Sequence, residues 1–154
     1  MIDIDIPGYR RLQLEHCVMD VNGTLALDGT LIDGVAPLLA ELSQSLTLHM
    51  LTANTHGKQA SIDAILGFQA HIITQGRNEK SSYIAGLGES SVVAIGNGAN
   101  DTAMCQRAAL SIAIIGPEGA AGMLVQSVDV VTRDIHDALG LLLHPDRLRA
   151  TLRR

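Results

Sequence analysis

Aromatic residues and cysteine are scarce in this sequence. Its 154 residues include no Trp, one Phe and two Tyr, although 47% of them are hydrophobic. A buried core must therefore be built from aliphatic side chains. The two cysteines, Cys17 and Cys105, fall in an apolar strand pattern and a helical pattern. They indicate core thiols in a reducing compartment rather than a disulfide framework.

Long apolar runs and a strong excess of positive charge are also missing. No apolar stretch approaches the roughly 18 residues that a membrane helix needs. The first residues, MIDIDIPGYRR, lack the pattern of a signal peptide. The formal net charge of −5 argues against general affinity for nucleic acids and mildly favours a cation. We therefore expect a soluble, cytoplasmic protein that binds neither membranes nor nucleic acids, and a homo-oligomer remains open.

The apolar segments predict a single α/β domain over residues 1–154. Alternating acids and isoleucines predict an N-terminal strand or hairpin extension at 1–13, and a basic helix or tail closes the chain at 145–154. The strands that follow the extension are predicted at 12–19, 46–52, 69–74, 91–96, 110–115 and 128–131. Helices are predicted near 35–45, 56–66, 78–87, 99–109, 118–126 and 134–144. This alternation predicts a mostly parallel sheet with helices on both faces.

Polar side chains follow the carboxyl ends of three of these strands. Asp20 ends the strand at 12–19, Thr52 ends the next, and the segment GNGAND (96–101) follows the strand at 91–96. Lys80 lies at the beginning of a predicted helix. Because ligands of parallel α/β sheets bind outside the carboxyl ends of the strands, we expect these four segments to meet on one rim.

Each of these side chains suits the handling of a phosphoryl group. A carboxylate such as Asp20 can attack phosphorus and form an aspartyl-phosphate. Amides in the turn at Gly23 form an anion nest, and the Thr52 hydroxyl can donate to a phosphoryl oxygen. Lys80 supplies the charge that lets an anionic nucleophile approach an anionic phosphate. Asp101, with nearby amide oxygens, offers the hard ligands that Mg²⁺ prefers.

Taken singly, the same segments have simpler structural explanations. An Asp-x-Asn-Gly sequence is usually a turn. Lys80 alone would be a solvated lysine in the first turn of a helix. The segment at 96–101 alone would be a helix start with an Asn or Asp cap. The order of the segments along the chain favours the functional interpretation.

In that order the segments resemble the four motifs of the haloacid dehalogenase (HAD) superfamily, most closely soluble relatives of the P-type ATPase phosphorylation domain. The matching stretches are DVNGTL (20–25), LTANT (51–55), NEKSS (78–82) and GNGANDTAM (96–104). The resemblance covers residues 14 to 144. It implies a Rossmann-like core, dependence on Mg²⁺ and phosphoryl transfer through an aspartyl intermediate.

The resemblance also assigns roles to individual positions. Asp20 is the implied nucleophile, with Asn22, Thr52 and Lys80 completing the catalytic set. The implied phosphate-binding residues are Gly23, Thr52, Ala53, Asn54 and Lys80. The implied metal ligands are Asp20, the backbone carbonyl of Asn22, Asn97 and Asp101.

Two positions depart from the superfamily pattern. Asn22 replaces the aspartate that protonates the leaving group in the phosphatases, and an amide has no useful proton to exchange near neutral pH. Asn97 replaces an acidic metal ligand, which weakens cation binding. We therefore expect a slow Mg²⁺-dependent phosphohydrolase or phosphotransferase acting on a phosphorylated small molecule or phosphoprotein. The alternative is a catalytically weak or inactive phosphate-binding or regulatory module.

The gaps between the motifs leave no room for a cap domain. The segment from Asp20 to Thr52 holds a hairpin and a helix, and the segment from Thr52 to Lys80 holds a helix and a strand. We therefore expect an open site, with His56 and Lys58 as candidates for its rim.

Overall fold

The computed structural model describes residues 1–154 except for the side chain of residue 77. The strands are β1 (Ile2–Asp5), β2 (Arg11–Leu14), β3 (His16–Asp20), β4 (Ala26–Leu27), β5 (Thr30–Leu31), β6 (Thr47–Thr52), β7 (His71–Ile72), β8 (Val92–Gly96), β9 (Leu110–Ile114) and β10 (Val130–Thr132). The helices are α1 (Val35–Leu42), α2 (Gln59–Leu66), α3 (Arg77–Leu87), α4 (Thr102–Arg107), α5 (Gly122–Val125), α6 (Ile135–Leu143) and α7 (Pro145–Leu152).

The centre of the protein is a six-stranded parallel sheet in the order β10-β9-β8-β3-β6-β7. The chain leaves β3 towards β6 on one side and later returns to β8 on the other side. The carboxyl ends of β3 and β8 therefore flank the point where the strand order reverses, which is where ligands bind in such sheets. The predicted parallel sheet is confirmed.

Helices cover both faces of this sheet, as the alternation of elements predicts. Along β3, Cys17 and Met19 face one apolar cluster, which contains Leu39 of α1 and Leu139 of α6. The intervening Val18 faces the other cluster, which includes residues of α3, α4 and α5. Because helices cover both sides of the central strands, β8 and β9 are buried along their whole length.

The predicted strand at 12–19 is divided in two in the structure. β2 pairs with β1 as an antiparallel hairpin outside the main sheet, whereas β3 lies at the centre of that sheet. The break falls at Glu15, whose backbone N–H donates to Ser91 and whose carbonyl accepts from Thr47, at 2.8 Å each. Glu15 thus binds the segments that lead into both neighbours of β3, and the chain changes sheet there.

Several predicted elements are shorter than their sequence patterns indicate, among them the helix predicted at 99–109, which is α4, and the strand predicted at 69–74, which is β7. The helix predicted at 118–126 is limited to α5, because Gly116 and Gly119 adopt positive φ angles of 48° and 72° and shape the preceding residues into a loop. The helix predicted at 56–66 begins only at Gln59, after Gly57 with φ 66°.

The hairpin predicted between Asp20 and Thr52 is present as the antiparallel pair β4–β5, with its turn at Asp28-Gly29. Both turn residues have positive φ, 51° at Asp28 and 79° at Gly29, as a two-residue turn of this kind requires. The segments between the motifs therefore fold as this hairpin with α1, and as α2 with β7. Neither segment is large enough to form a cap domain.

The basic C-terminal segment packs against the N-terminal hairpin. Leu148 of α7 is fully buried, and the Arg149 Nε atom donates to the carbonyl of Asp5 at 3.0 Å. The Arg154 guanidinium lies 5.3 Å from the ring centroid of Tyr9. The terminal arginines thus have a structural role in joining the two ends of the chain. Among the described residues, no helix combines the length and apolar character needed to cross a bilayer.

Replacing Leu148 tests this junction. We expect Leu148→Ala to lower the free energy of unfolding by about 2–4 kcal/mol, because it removes buried methyl groups and leaves a cavity. Chemical denaturation measures the loss. Arg153→Ala, at an exposed position of the same segment, is the control and should change stability by less than about 0.5 kcal/mol. Equal losses of unfolding free energy in Leu148→Ala and Arg153→Ala would contradict the role of Leu148 in this junction.

Candidate active site

A buried ion-pair network stands at the carboxyl edge of the sheet. The Lys80 ammonium on α3 donates to Asp20 Oδ1 and to Asp101 Oδ1, each at 2.7 Å. The Lys80 side chain is 2% exposed and that of Asp101 is fully buried. A charge this far from water requires close partners, and these two carboxylates supply them. Residues from three separate motifs therefore meet here.

Asp101 holds this network in place. Its second oxygen, Oδ2, accepts hydrogen bonds from the backbone N–H groups of Asn97 at 3.1 Å and Gly98 at 3.0 Å. A Cβ atom at Gly96 would lie 2.5 Å from Oδ2, so glycine permits this close approach. Both oxygens of Asp101 are thus engaged by buried donors. This geometry supports a role in orienting Lys80, and the contact of Asp101 with a metal stays a prediction.

The second oxygen of Asp20 faces a different set of groups. The Thr24 hydroxyl lies 3.4 Å from Asp20 Oδ2 and 3.4 Å from the side-chain oxygen of Asn97. Thr24 is buried, and sequence analysis did not single it out, although it lies within the DVNGTL stretch. Because Oδ1 is held by Lys80, Oδ2 is the oxygen of Asp20 that is directed towards Asn97 and the turn.

Asn22 and Thr52 form a second cluster beside the first. The Asn22 amide donates to the Thr52 hydroxyl oxygen at 3.4 Å, and that oxygen also accepts from the Asn54 backbone N–H at 3.0 Å. Since both neighbours donate, the hydroxyl proton of Thr52 remains free to donate to a bound oxyanion. The Asn54 side-chain oxygen accepts from the Gln59 N–H at the start of α2, so Asn54 contacts Thr52 through its backbone. Ala53 is exposed between them.

The two proposed rim residues lie against the tip of the β4–β5 hairpin. The Lys58 ammonium donates to the carbonyl of Asp28 at 3.5 Å, and a Cβ atom at Gly29 would lie 2.9 Å from the Cβ of His56. Both side chains thus pack on the hairpin beside the site. Neither contacts the Lys80 network in the described part of the chain.

Burial and neighbouring charges alter the acidity of the central groups. Burial, together with repulsion from Asp101, raises the pKa of Asp20 to about 7 despite the adjacent Lys80. Burial alone would lower the pKa of Lys80, but attraction by Asp20 and Asp101 outweighs it and raises that pKa above its usual value. Two carboxylates thus compete for one ammonium, and the site has an excess of negative charge that favours a cation.

The oxygen atoms of the site fit a hard divalent cation. Among the described side chains, no group of three or more His, Cys, Asp or Glu residues is placed to hold a metal. A cation therefore requires amide and backbone oxygens in addition to carboxylates. Asp20 Oδ2 and the Asn97 side-chain oxygen both lie beside the Thr24 hydroxyl. An all-oxygen donor set of this kind suits Mg²⁺ better than softer metals.

A cavity of about 550 Å³ adjoins the nucleophile turn. It begins at Gly23 and Thr24 and extends between the β4–β5 hairpin and the loops that follow β9 and β10. Its wall is largely apolar, with Leu31, Ile114 and Pro117 among its residues, and Asp33, Asp134 and His136 add polar groups. Sequence analysis did not find this cavity, because its residues come from loops that are distant along the chain.

Sequence comparison gives one informative relative. No family model matches the chain. The uncharacterized protein MJ0073 of Methanocaldococcus jannaschii is 50% identical over 62 residues, which cover 40% of this chain and 67% of that protein. The chain belongs to the same family as this archaeal protein, whose name assigns no activity.

Solved structures identify the fold. A candidate HAD family hydrolase of Streptomyces avermitilis matches with a TM-score of 0.70 and 19% identity, covering 87% of this chain and 93% of that one. A second match is the 3-deoxy-D-manno-octulosonate 8-phosphate phosphatase of Moraxella catarrhalis, crystallised with magnesium, phosphate and KDO. Its TM-score is 0.66 and its identity 21%, and the match covers 90% of this chain and 92% of that one. The catalytic domain of the CPx-ATPase CopB-B matches with a TM-score of 0.62 and 23% identity. This match covers 73% of this chain and 46% of that one. The chain therefore has the HAD fold, as the four motifs predict.

The raised pKa of Asp20 predicts a pH-dependent difference in stability. A carboxyl whose pKa is about 7 in the folded protein and 3.8 in the reference state contributes stability below pH 3.8 that is lost as pH rises to 7. Asp20→Asn has no such titration. Relative to this variant, the unfolding free energy of the metal-free wild type should therefore fall by about 3 kcal/mol between pH 5 and pH 8.

Chemical denaturation in the presence of EDTA measures this difference. Asp5→Asn, at an exposed position of β1, is the matched control. Its unfolding free energy should differ from that of the wild type by the same amount at both pH values. If the difference in unfolding free energy between the wild type and Asp20→Asn does not change with pH, the pKa of Asp20 is not raised.

Proposed function

We propose that this protein is a divalent-cation-dependent phosphohydrolase or phosphotransferase that forms an aspartyl-phosphate on Asp20 and turns over slowly. The observation that carries this proposal is the Lys80 ammonium held between Asp20 and Asp101 at the switch point of the sheet. A nucleophilic carboxylate needs an adjacent positive charge to approach a phosphate, and this arrangement supplies it. Phosphatases among the structural neighbours support the assignment.

The two Asp20 oxygens take different roles in this proposal. Oδ1, beside the Lys80 ammonium, forms the bond to phosphorus while the bond from phosphorus to the leaving-group oxygen breaks, and Oδ2, on the side of Asn97, is left for the cation. The Thr52 hydroxyl binds a phosphoryl oxygen. The predicted anion nest at Gly23 does not form, because the N–H groups of Gly23 and Thr24 donate to the carbonyls of Ala26 and Val21 within the turn. In a hydrolase, water then attacks phosphorus and releases the Asp20 carboxylate.

A cation fits beside this carboxylate. Asp20, the backbone carbonyl of Asn22 and the side-chain oxygen of Asn97 would hold it, and Mg²⁺ is the ion that such oxygens favour. When bound, the cation offsets negative charge on the transferring phosphoryl group. Its presence in the Moraxella catarrhalis neighbour supports the same cofactor here.

Asn22 limits the rate and the choice of substrate. Its amide donates to Thr52 and cannot protonate a leaving group, so the reaction depends on leaving groups that depart as stable anions. The adjoining cavity of about 550 Å³ has the size of a small-molecule site and would receive the body of a phosphorylated metabolite. The uncapped rim also leaves room for a phosphorylated side chain of a protein.

Restoring the missing acid tests this account. We expect Asn22→Asp to raise the turnover of p-nitrophenyl phosphate by about 10²-fold, since general acid–base catalysis contributes about 10²–10⁴-fold. Asp20→Asn should abolish turnover, and Asp5→Asn should leave it unchanged. A wild type and an Asn22→Asp variant that are both inert in the presence of Mg²⁺ would contradict a hydrolytic role.

Trapping with beryllium fluoride distinguishes an enzyme from a binding module. Beryllium fluoride bonded to a carboxylate mimics a phosphoaspartate, so it should stabilise the wild type in the presence of Mg²⁺. At 100 times the dissociation constant, the gain in unfolding free energy is about 2.7 kcal/mol. Asp20→Asn should gain nothing. Equal stabilisation of both proteins would indicate phosphate binding without formation of an aspartyl adduct.

A further inference from the structure

The loop that follows β9 reaches the cation side of the site. It is tied to Asn97 twice: the Asn97 amide donates to the carbonyl of Gly119 at 3.3 Å, and the Ala121 N–H donates to the carbonyl of Asn97 at 2.9 Å. A third hydrogen bond, from the Gly119 N–H to the carbonyl of Gly116 at 3.2 Å, closes the turn. These bonds place the backbone of the exposed residue Glu118, within the turn, next to Asn97.

The Glu118 carboxylate lies directly over Gly23. A Cβ atom at position 23 would be 2.2 Å from Glu118 Oε2, and 2.6 Å and 2.9 Å from the side-chain nitrogen and oxygen of Asn97. Glu118 and Asn97 therefore share the small space above Gly23. A side chain at position 23 would require Glu118 and Asn97 to move, and the φ angle of 81° also favours glycine.

This carboxylate restores a charge that the motif has lost. The HAD pattern places an acidic group at position 97, and here Asn97 is neutral. Glu118 brings a carboxylate to the same side of the nucleophile from a different loop. Among the described side chains, no lysine or arginine forms an ion pair with Glu118, so its charge is available to a cation.

The position of Glu118 favours a role with the cation over a role in proton transfer. The Asn22 side chain, which occupies the position of the missing acid, is directed towards Thr52 on β6. Glu118 lies instead beside Asn97, at the end of β8. It is thus adjacent to the oxygens that would hold a cation and separate from the Asn22–Thr52 cluster.

We propose that Glu118 supplies the carboxylate that position 97 lacks and binds the divalent cation together with Asp20 and Asn97. This inference rests on the cation site of the proposed function. It predicts that cation affinity depends on a residue outside the four motifs.

Titration of Mn²⁺ into the metal-free protein, followed by the EPR signal of free Mn²⁺, tests the proposal without an activity assay. We expect Glu118→Gln to weaken Mn²⁺ binding by about 10-fold or more, comparable to the loss of a supporting partner of a metal site. Glu41→Gln, an exposed residue of α1, is the matched control and should bind as the wild type does. The double variant Asn97→Asp with Glu118→Gln should regain the affinity, because it returns a carboxylate to the same space.

Two outcomes would overturn the proposal. The first is an unchanged Mn²⁺ affinity in Glu118→Gln; if this variant also alters the pH profile of turnover, Glu118 is a proton donor instead. The second is a loss of affinity that Asn97→Asp does not restore.

The same titration separates this inference from the proposed function. Glu118-dependent Mn²⁺ binding in a protein that neither hydrolyses phosphate esters nor traps beryllium fluoride would support the site and refute the enzyme. If the wild type turns over phosphate esters and the Glu118→Gln variant binds Mn²⁺ normally, the enzymatic function is supported and the role of Glu118 is refuted.

Discussion

The buried ammonium of Lys80 is the interaction on which the rest of the site depends. It joins the end of β3, where Asp20 lies, to the turn after β8, which Asp101 stabilises through its second oxygen. An unpaired charge at this depth would be strongly destabilising, so the three side chains must assemble together. Because two carboxylates share one ammonium, the folded protein retains negative charge at the sheet edge. This negative charge, at the point where the strand order reverses, favours the binding of a cation.

The two asparagines divide the site into halves with different properties. On the β6 side, Asn22 stands where the HAD pattern has an acid and donates to Thr52, so the proposed phosphate-binding cluster has no general acid. On the β9 side, Asn97 replaces a second acid, but a neighbouring loop places Glu118 close to it. The loss of charge is thus compensated where a cation would bind and remains uncompensated where a leaving group would depart. This asymmetry is consistent with phosphoryl capture followed by slow release.

Sequence analysis succeeded where one physical rule determines the outcome. Parallel strands place their carboxyl ends on one edge, so the proximity of Asp20, Thr52 and the turn at 96–101 followed from strand order. It failed where the outcome depends on glycine geometry or on contacts between distant loops. The continuous apolar pattern at 12–19 does not reveal that the chain changes sheet at Glu15. The positive φ angles that shorten the helix at 118–126 also create the turn that holds Glu118, so that residue was missed for the same reason.

The junction between α7 and the N-terminal hairpin lies at the opposite edge of the sheet from the site. The Met1 amino group binds the carbonyl of Ser45 just before β6, and the Tyr9 hydroxyl binds Asp129 just before β10. The backbone N–H of Arg154 donates to the carbonyl of Pro7 at 3.0 Å. Both chain ends are therefore anchored at the amino edge. A fluorophore or affinity tag fused to either one would project away from the reacting groups and leave substrate entry unobstructed.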